Sequence, residues 1–197
     1  FYFASPYHVT FETSAIRALG VLAEGQARFQ ADRQVDEDGD GIGEFGWLGE
    51  LGGIEAIRGS GKKATEAPYI AAVLGVKDGA GAAQKSLYYF RLFLPSANGP
   101  AVGEAGGPAA ASAPDADVGE RRWCCYAWPN TWGQSGSRAF FVNQDGVVYQ
   151  TEGNACRYDG TRRRPTPDAA FDASAPGAKN LDAPVGDADA GRTACDG

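Results

Sequence analysis

The chain has 197 residues, 43% of them hydrophobic, and a formal charge of -7, with 18 Lys and Arg against 25 Asp and Glu. That length supports one substantial core with appendages rather than two full domains, and the acidic balance argues against a nucleic-acid partner, which needs clustered Lys and Arg to displace counterions. No run of about 20 apolar residues is present, so no segment reads as a membrane span.

The large side chains are mostly aromatic: 10 Phe, 8 Tyr and 4 Trp stand in for a modest supply of Leu, Ile and Val. The chain starts at Phe1 and contains no methionine. This pattern fits a processed, exported protein, and predicts an extracellular or cell-surface location.

Residues 1–12 (FYFASPYHVTFE) read as an extended N-terminal arm, because Pro6 sits among aromatics with no helical period. Phe1, Tyr2, Phe3, Tyr7 and Phe11 make that arm apolar. It either tucks back onto its own core or docks on another subunit, which makes these five residues the candidate assembly contacts.

From Thr13 or Ser14 to about Gln34, residues Ile16, Leu19, Ala23, Gln26, Ala27 and Gln30 recur at helical spacing, with Leu22 and Phe29 beside them. One long amphipathic helix is predicted. Gly20 and Gly25 weaken it in isolation, so tertiary packing must hold it.

The sharpest local motif follows, Asp36-Glu37-Asp38-Gly39-Asp40-Gly41-Ile42-Gly43-Glu44. Calcium takes six to eight oxygens, and acids at alternate positions converge when glycines let the backbone wrap. Asp36, Asp38 and Asp40 occupy the first, third and fifth places of such a loop, and the Ile42 carbonyl and Glu44 complete the candidate ligand set for Ca2+. The motif resembles the opening of EF-hand and dockerin loops, although Trp47 stands at the twelfth place where a glutamate belongs. An acidic turn with no metal is the alternative.

One or two helical turns are predicted after Pro68, then a buried strand over Leu87–Leu94 that ends at Pro95. Residues 96–119, rich in Gly, Ala and Pro, read as a long surface-loop insertion. In RRWCCYAWP a second strand alternates Trp123, Cys125 and Ala127 on one face with Cys124, Tyr126 and Trp128 on the other. SRAFFVNQDGVVYQT is a hairpin, Arg138–Val142 and Val147–Thr151, turning through Asn143 to Gly146.

Residues 160–197 are rich in Pro, Ala, Asp and Gly and read as an extended, irregular C-terminal tail. The run Arg162, Arg163, Arg164 reads as solvated or paired with a neighbour's carboxylates, with an anion site as the lesser reading. Four cysteines in an exported chain predict two disulfides, with Cys124 and Cys125 each bonded to Cys156 or Cys195 in an order the sequence leaves open.

No catalytic constellation assembles. The single histidine, His8, has no flanking motif, and no phosphate-binding glycine signature is present. The chain is therefore expected not to be an enzyme. The tryptophans Trp47, Trp123, Trp128 and Trp132 could stack sugars, but such residues are more often core.

The predicted class is α+β: an extended arm (1–12), a domain of one long N-terminal helix packed on a small antiparallel β-sheet (13–159), and the tail (160–197). The phrases SAIRALGVLAEGQARFQ, DGDGIGEFGWLGEL, KSLYYFRLFLP, YAWP and RAFFVNQDGVVYQT, in that order, resemble type IV pilin-like and type II secretion pseudopilin-like exported proteins of the planctomycete kind. The resemblance covers roughly residues 13–155. It implies a helix laid across a small antiparallel sheet in subunits that assemble into an extracellular filament, although this chain lacks the usual apolar N-terminal helix. The expected function is a self-assembling structural subunit, supported by calcium and disulfides. The alternative is a monomeric secreted module binding carbohydrate or peptide through exposed tryptophans.

Overall fold

Helix α1 runs Pro6–Ala31. A proline at the first helical position has its missing N–H where no partner exists anyway, and its fixed φ suits the first turn. The expected extended arm is therefore corrected in its second half: the segment from Pro6 onward, Tyr7 and Phe11 included, is helical, and Phe11 is half-buried against the core. Thr13 and Ser14, expected to open the helix, lie well inside it. The computed structural model describes residues 6–59, 61, 63–97, 100–104, 113–151 and 156–170; Phe1, Tyr2 and Phe3 lie outside them.

One stripe of α1, formed by Ala15, Ala18, Leu19, Leu22, Gln26 and Phe29, is buried. Its Leu and Phe side chains each contribute on the order of 2 kcal/mol by leaving water. The stripe packs on an antiparallel sheet made of β1 (Ala83–Lys85), β2 (Tyr88–Leu94), β3 (Val102–Gly103), β4 (Cys124–Pro129), β5 (Phe140–Asn143) and β6 (Val148–Gln150). The strand order is β1-β2-β4-β5-β6, with β3 also paired to β2. The predicted alternation around β4 holds: Trp123, Cys125 and Ala127 join the helix-side core, and Cys124, Tyr126 and Trp128 the opposite one. The expected hairpin is present as well, with Gly146 at φ 72° in its turn.

Between α1 and the sheet lie two short elements, α2 (Leu48–Leu51) and a 3-10 turn (Ala72–Gly75). The latter is the helical turn expected after Pro68.

The outer face of the sheet is not left to solvent. Residues 156–170 fold back across it: Trp128 Nε1 donates to the Gly160 carbonyl at 2.8 Å, Tyr126 Oη donates to Pro167 O at 3.2 Å, and the Ala170 N–H donates to Tyr126 Oη at 2.9 Å. The first part of the expected tail is thus a structural layer on its own sheet. Buried indole and phenol groups need polar partners, and this backbone supplies them. Residues 171–197 lie outside the described part.

The expectation for the cysteines is also revised. Cys124 and Cys125 are free thiols, fully buried, one in each core. Neighbours in a strand point to opposite faces, and here each face is closed by packed side chains, so neither sulfur meets a partner. Cys156 is disulfide-bonded, and Cys195 lies outside the described residues.

The Gly/Ala/Pro-rich insertion is not simply a surface loop. Its described part includes β3, a short helix α3 (Ala116–Gly119) and three buried residues, Ala101, Glu104 and Gly119. No helix among the described residues is long and apolar enough to cross a membrane.

Candidate metal centre

The acidic motif leaves the C-terminal end of α1 and is fastened at both ends. Val35 is fully buried, and the Glu44 N–H donates to the Val35 carbonyl at 3.1 Å, closing residues 35–44 into a loop. Within it Gly39 and Gly41 take φ 76° and 88°, left-handed values that a side chain at either position would resist.

Those two turns place the aspartates together. Asp36, Asp38 and Asp40 each offer an oxygen within 4.8 Å of the others, all exposed. Each carboxylate also accepts one backbone N–H: Gly39 N to Asp36 at 2.9 Å, Asp40 N to Asp38 at 3.2 Å, and Ile42 N to Asp40 at 2.7 Å. These bonds shape the loop and leave further lone pairs facing outward, where they could hold a hard cation.

Of the predicted ligand set, Glu44 is not brought to the cluster. Its side chain is buried, accepts the Glu37 N–H at 2.6 Å and pairs with Arg58 at 3.2 Å. Burial pushes its carboxyl up, against the lowering pull of the Glu37 N–H and the Arg58 guanidinium. Ile42 has its side chain in solvent and its N–H on Asp40.

Arg58 anchors the loop from beneath. Its Nη1 lies 2.6 Å from Glu50 Oε2, its Nη2 donates to the Phe45 carbonyl at 2.7 Å, and Glu37 lies 3.8 Å from Nε. One guanidinium so fixes Glu37, Glu44 and Glu50 while the three aspartates face solvent. A half-buried cation serving several carboxylates is a positioning device, strong in orientation and modest in net energy.

A further carboxylate comes from far along the chain. Glu120, at the end of α3, is held in place where Gln30 Nε2 donates to its carbonyl, and its own carboxyl is raised by desolvation and then by the charges of Asp40, Asp38 and Asp117. Asp115 caps α3 by accepting the Val118 N–H at 2.8 Å. Sequence reasoning missed Glu120 because it directly follows the insertion 96–119, which was read as a loop; the Asp115 N-cap before it was the available signal.

None of the four tryptophans is exposed. Trp123 and Trp128 are buried, and Trp47 and Trp132 are half-buried, with Trp132 Nε1 donating to the Ser137 carbonyl at 3.1 Å.

At the other end of α1 is a groove of about 590 Å³ lined by Val9, Thr13, Arg17, Val21, Leu74 and Lys85, among others. Val9 and Val21 on its rim are 56% and 48% exposed.

Residues 64–159 match the model of a family described as a protein of unknown function (DUF2950). The match takes in the whole sheet and begins after the acidic loop. No curated protein and no solved structure matches the chain.

Proposed function

We propose that the chain is a pilin-like structural subunit of an extracellular or cell-surface filament, assembling with copies of itself, with calcium bound at Asp36, Asp38 and Asp40. The observation that carries this reading is the placement of two unlike surfaces along one rigid helix. The groove beside the first half of α1 is apolar and rimmed by Arg17 and Lys85, whereas the loop beyond Ala31 presents Asp36, Asp38 and Asp40, with Glu120 close by.

From Arg17 to Ala31 the helix axis runs about 21 Å, too far for the two surfaces to meet within one copy. They can meet between copies. A patch that recognises a different patch makes a head-to-tail contact, and such contacts generate open filaments when the rotation does not close a ring. A bound divalent ion leaves Asp36, Asp38, Asp40 and Glu120 with net negative charge, so calcium can order the loop without abolishing its attraction to Arg17 and Lys85.

Of the assembly contacts expected in the aromatic arm, Phe11 packs on its own core and Phe1, Tyr2 and Phe3 lie outside the described residues; the groove is the assembly surface that this reading adds. The reading through exposed tryptophans finds no support in their burial and is set aside.

Sedimentation velocity and negative-stain microscopy across protein concentration, with calcium and with a chelator, test the proposal. Concentration-dependent polymers that weaken in chelator and are lost in Val21→Asp are expected. A monomer at every concentration, with or without calcium, overturns it.

A further inference from the structure

Along the outer face of β2, Tyr89, Arg91 and Phe93 alternate with the helix-side residues Tyr88, Phe90 and Leu92, and Phe93 is itself buried in the second core. The Arg91 guanidinium sits over the Phe93 ring, 4.9 Å from its centroid. Its other side lies against the backbone of β3: a Cβ at Gly103 would come within 2.9 Å of Nη2 and 3.1 Å of Nε. A side chain at Gly103 would push the guanidinium from this position.

So held, Arg91 has little to bind. Its Nε is sealed from solvent with no acceptor, and it forms no ion pair among the described residues. The nearest charges are Arg164 and Asp78, and they are committed to one another at 2.7 Å, with the Arg164 guanidinium 5.9 Å from the Tyr89 ring centroid. Asp78 is further occupied by the N–H groups of Ala80 and Ala82. Asp78 thus offsets Arg164, and among the described residues Arg91 has no carboxylate at ion-pair distance, in a chain whose total charge is -7. Burial and the like charge of Arg164 both act against the charged form of Arg91, which is the electrostatic signature of a cation without its counterpart.

We propose that Arg91, backed by Arg164, is a recognition site for one carboxylate group, supplied by a free organic acid or by an Asp or Glu side chain of a peptide. A monoanion matches the one charge left over, whereas a dianionic phosphate would be set against Asp78. The planar guanidinium carries paired N–H groups whose geometry fits a carboxylate's two oxygens. Of the three consecutive arginines, Arg164 is the one paired with Asp78. This inference stands apart from the assembly reading and survives its failure.

The test is a 15N–1H NMR titration of the full chain with sodium acetate and, separately, with N-acetyl-aspartate amide, at ionic strength held constant with chloride. Saturable shifts centred on the amides of Phe93, Gly103 and Arg164, with a Kd of order millimolar, are expected. They should vanish in Arg91→Gln and weaken about tenfold in Arg91→Lys, which keeps the charge but loses the fork. Tighter binding of the aspartyl compound identifies a peptide carboxylate as the ligand, and equal or tighter binding of acetate identifies a free acid. No saturable shift with either, or shifts that persist in Arg91→Gln with its remaining spectrum unchanged, overturns the proposal.

Discussion

Glu104 and Lys77 meet at 2.6 Å with both side chains almost wholly buried, 4% and 3% exposed. The glutamate also accepts the N–H groups of Leu48 and Gly49 at 2.9 and 3.0 Å, and so ties the insertion, the start of α2 and the segment before β1 into one unit. Without Glu104, Lys77 keeps only the half-exposed Glu55 at 2.8 Å, so Glu104→Gln is expected to lower stability by roughly 2 kcal/mol in urea unfolding near neutral pH.

The same residue gives stability a pH dependence. Burial raises the Glu104 carboxyl from its ordinary 4.5 to about 7, against the opposing pull of Lys77. Between those values the folded chain holds a proton that the unfolded chain releases, so this group's contribution falls as pH rises through the window. Unfolding free energies at pH 5 and pH 7 should show a fall for the native chain that is reduced in Glu104→Gln; an unchanged difference would falsify the assignment.

Glu12 joins the first turns of α1 to the hairpin. Its carboxylate, 5% exposed, accepts from the Ser137 and Arg138 N–H groups at 2.9 and 3.2 Å and from Arg138 Nε and Nη2 at 2.9 and 2.5 Å. Glu12→Ala is expected to cost about 3 kcal/mol, and hydrogen exchange should speed up at the start of α1 and in β5 together.

Calcium is expected to raise the midpoint of thermal unfolding, by the equivalent of about 2.7 kcal/mol when its concentration is 100 times Kd. Asp38→Asn should remove most of the shift and Glu44→Gln should not remove it, because Glu44 faces Arg58 and not the aspartate cluster. Magnesium at the same concentration should shift the midpoint less, since it keeps its water more tightly.

The two thiols of Cys124 and Cys125 are buried, and burial raises both well above the ordinary cysteine value. A thiol reagent at pH 8 should label neither in the native protein and both once it is unfolded without reductant. Rapid native labelling would show that the C-terminal layer over Cys124 opens.

The β1–β2 turn carries two non-glycine residues in the left-handed region, Ser86 at φ 50° and Leu87 at φ 60°. Leu87 is 44% exposed, so its side chain contributes little packing. Leu87→Gly is expected to stabilise the chain by about 1 kcal/mol, visible as a higher urea midpoint with an unchanged slope.

Where backbone geometry is set by adjacent residues, the chain alone was enough. Alternation along β4, the turn at Gly146 and the paired glycines among Asp36, Asp38 and Asp40 are local statements about backbone geometry, and each is present in the fold, whereas the stripe expected on α1 is rotated: Leu19 and Gln26 are buried, but Ala27 is exposed and Ala15 and Ala18 lie in the core instead. Only the tertiary structure decided which long-range partners these elements take: Glu44 goes to Arg58 while Glu120 feels the charge of Asp38 and Asp40, Glu104 leaves a polar insertion to meet Lys77, residues 156–170 cover their own sheet, and Arg91 is left short of an anion. The reason is physical. Backbone period and turn chemistry are set by neighbours in sequence, whereas charge pairing and burial depend on which surfaces the folded chain brings within a few ångströms, and residues a hundred positions apart carry no mark of that meeting.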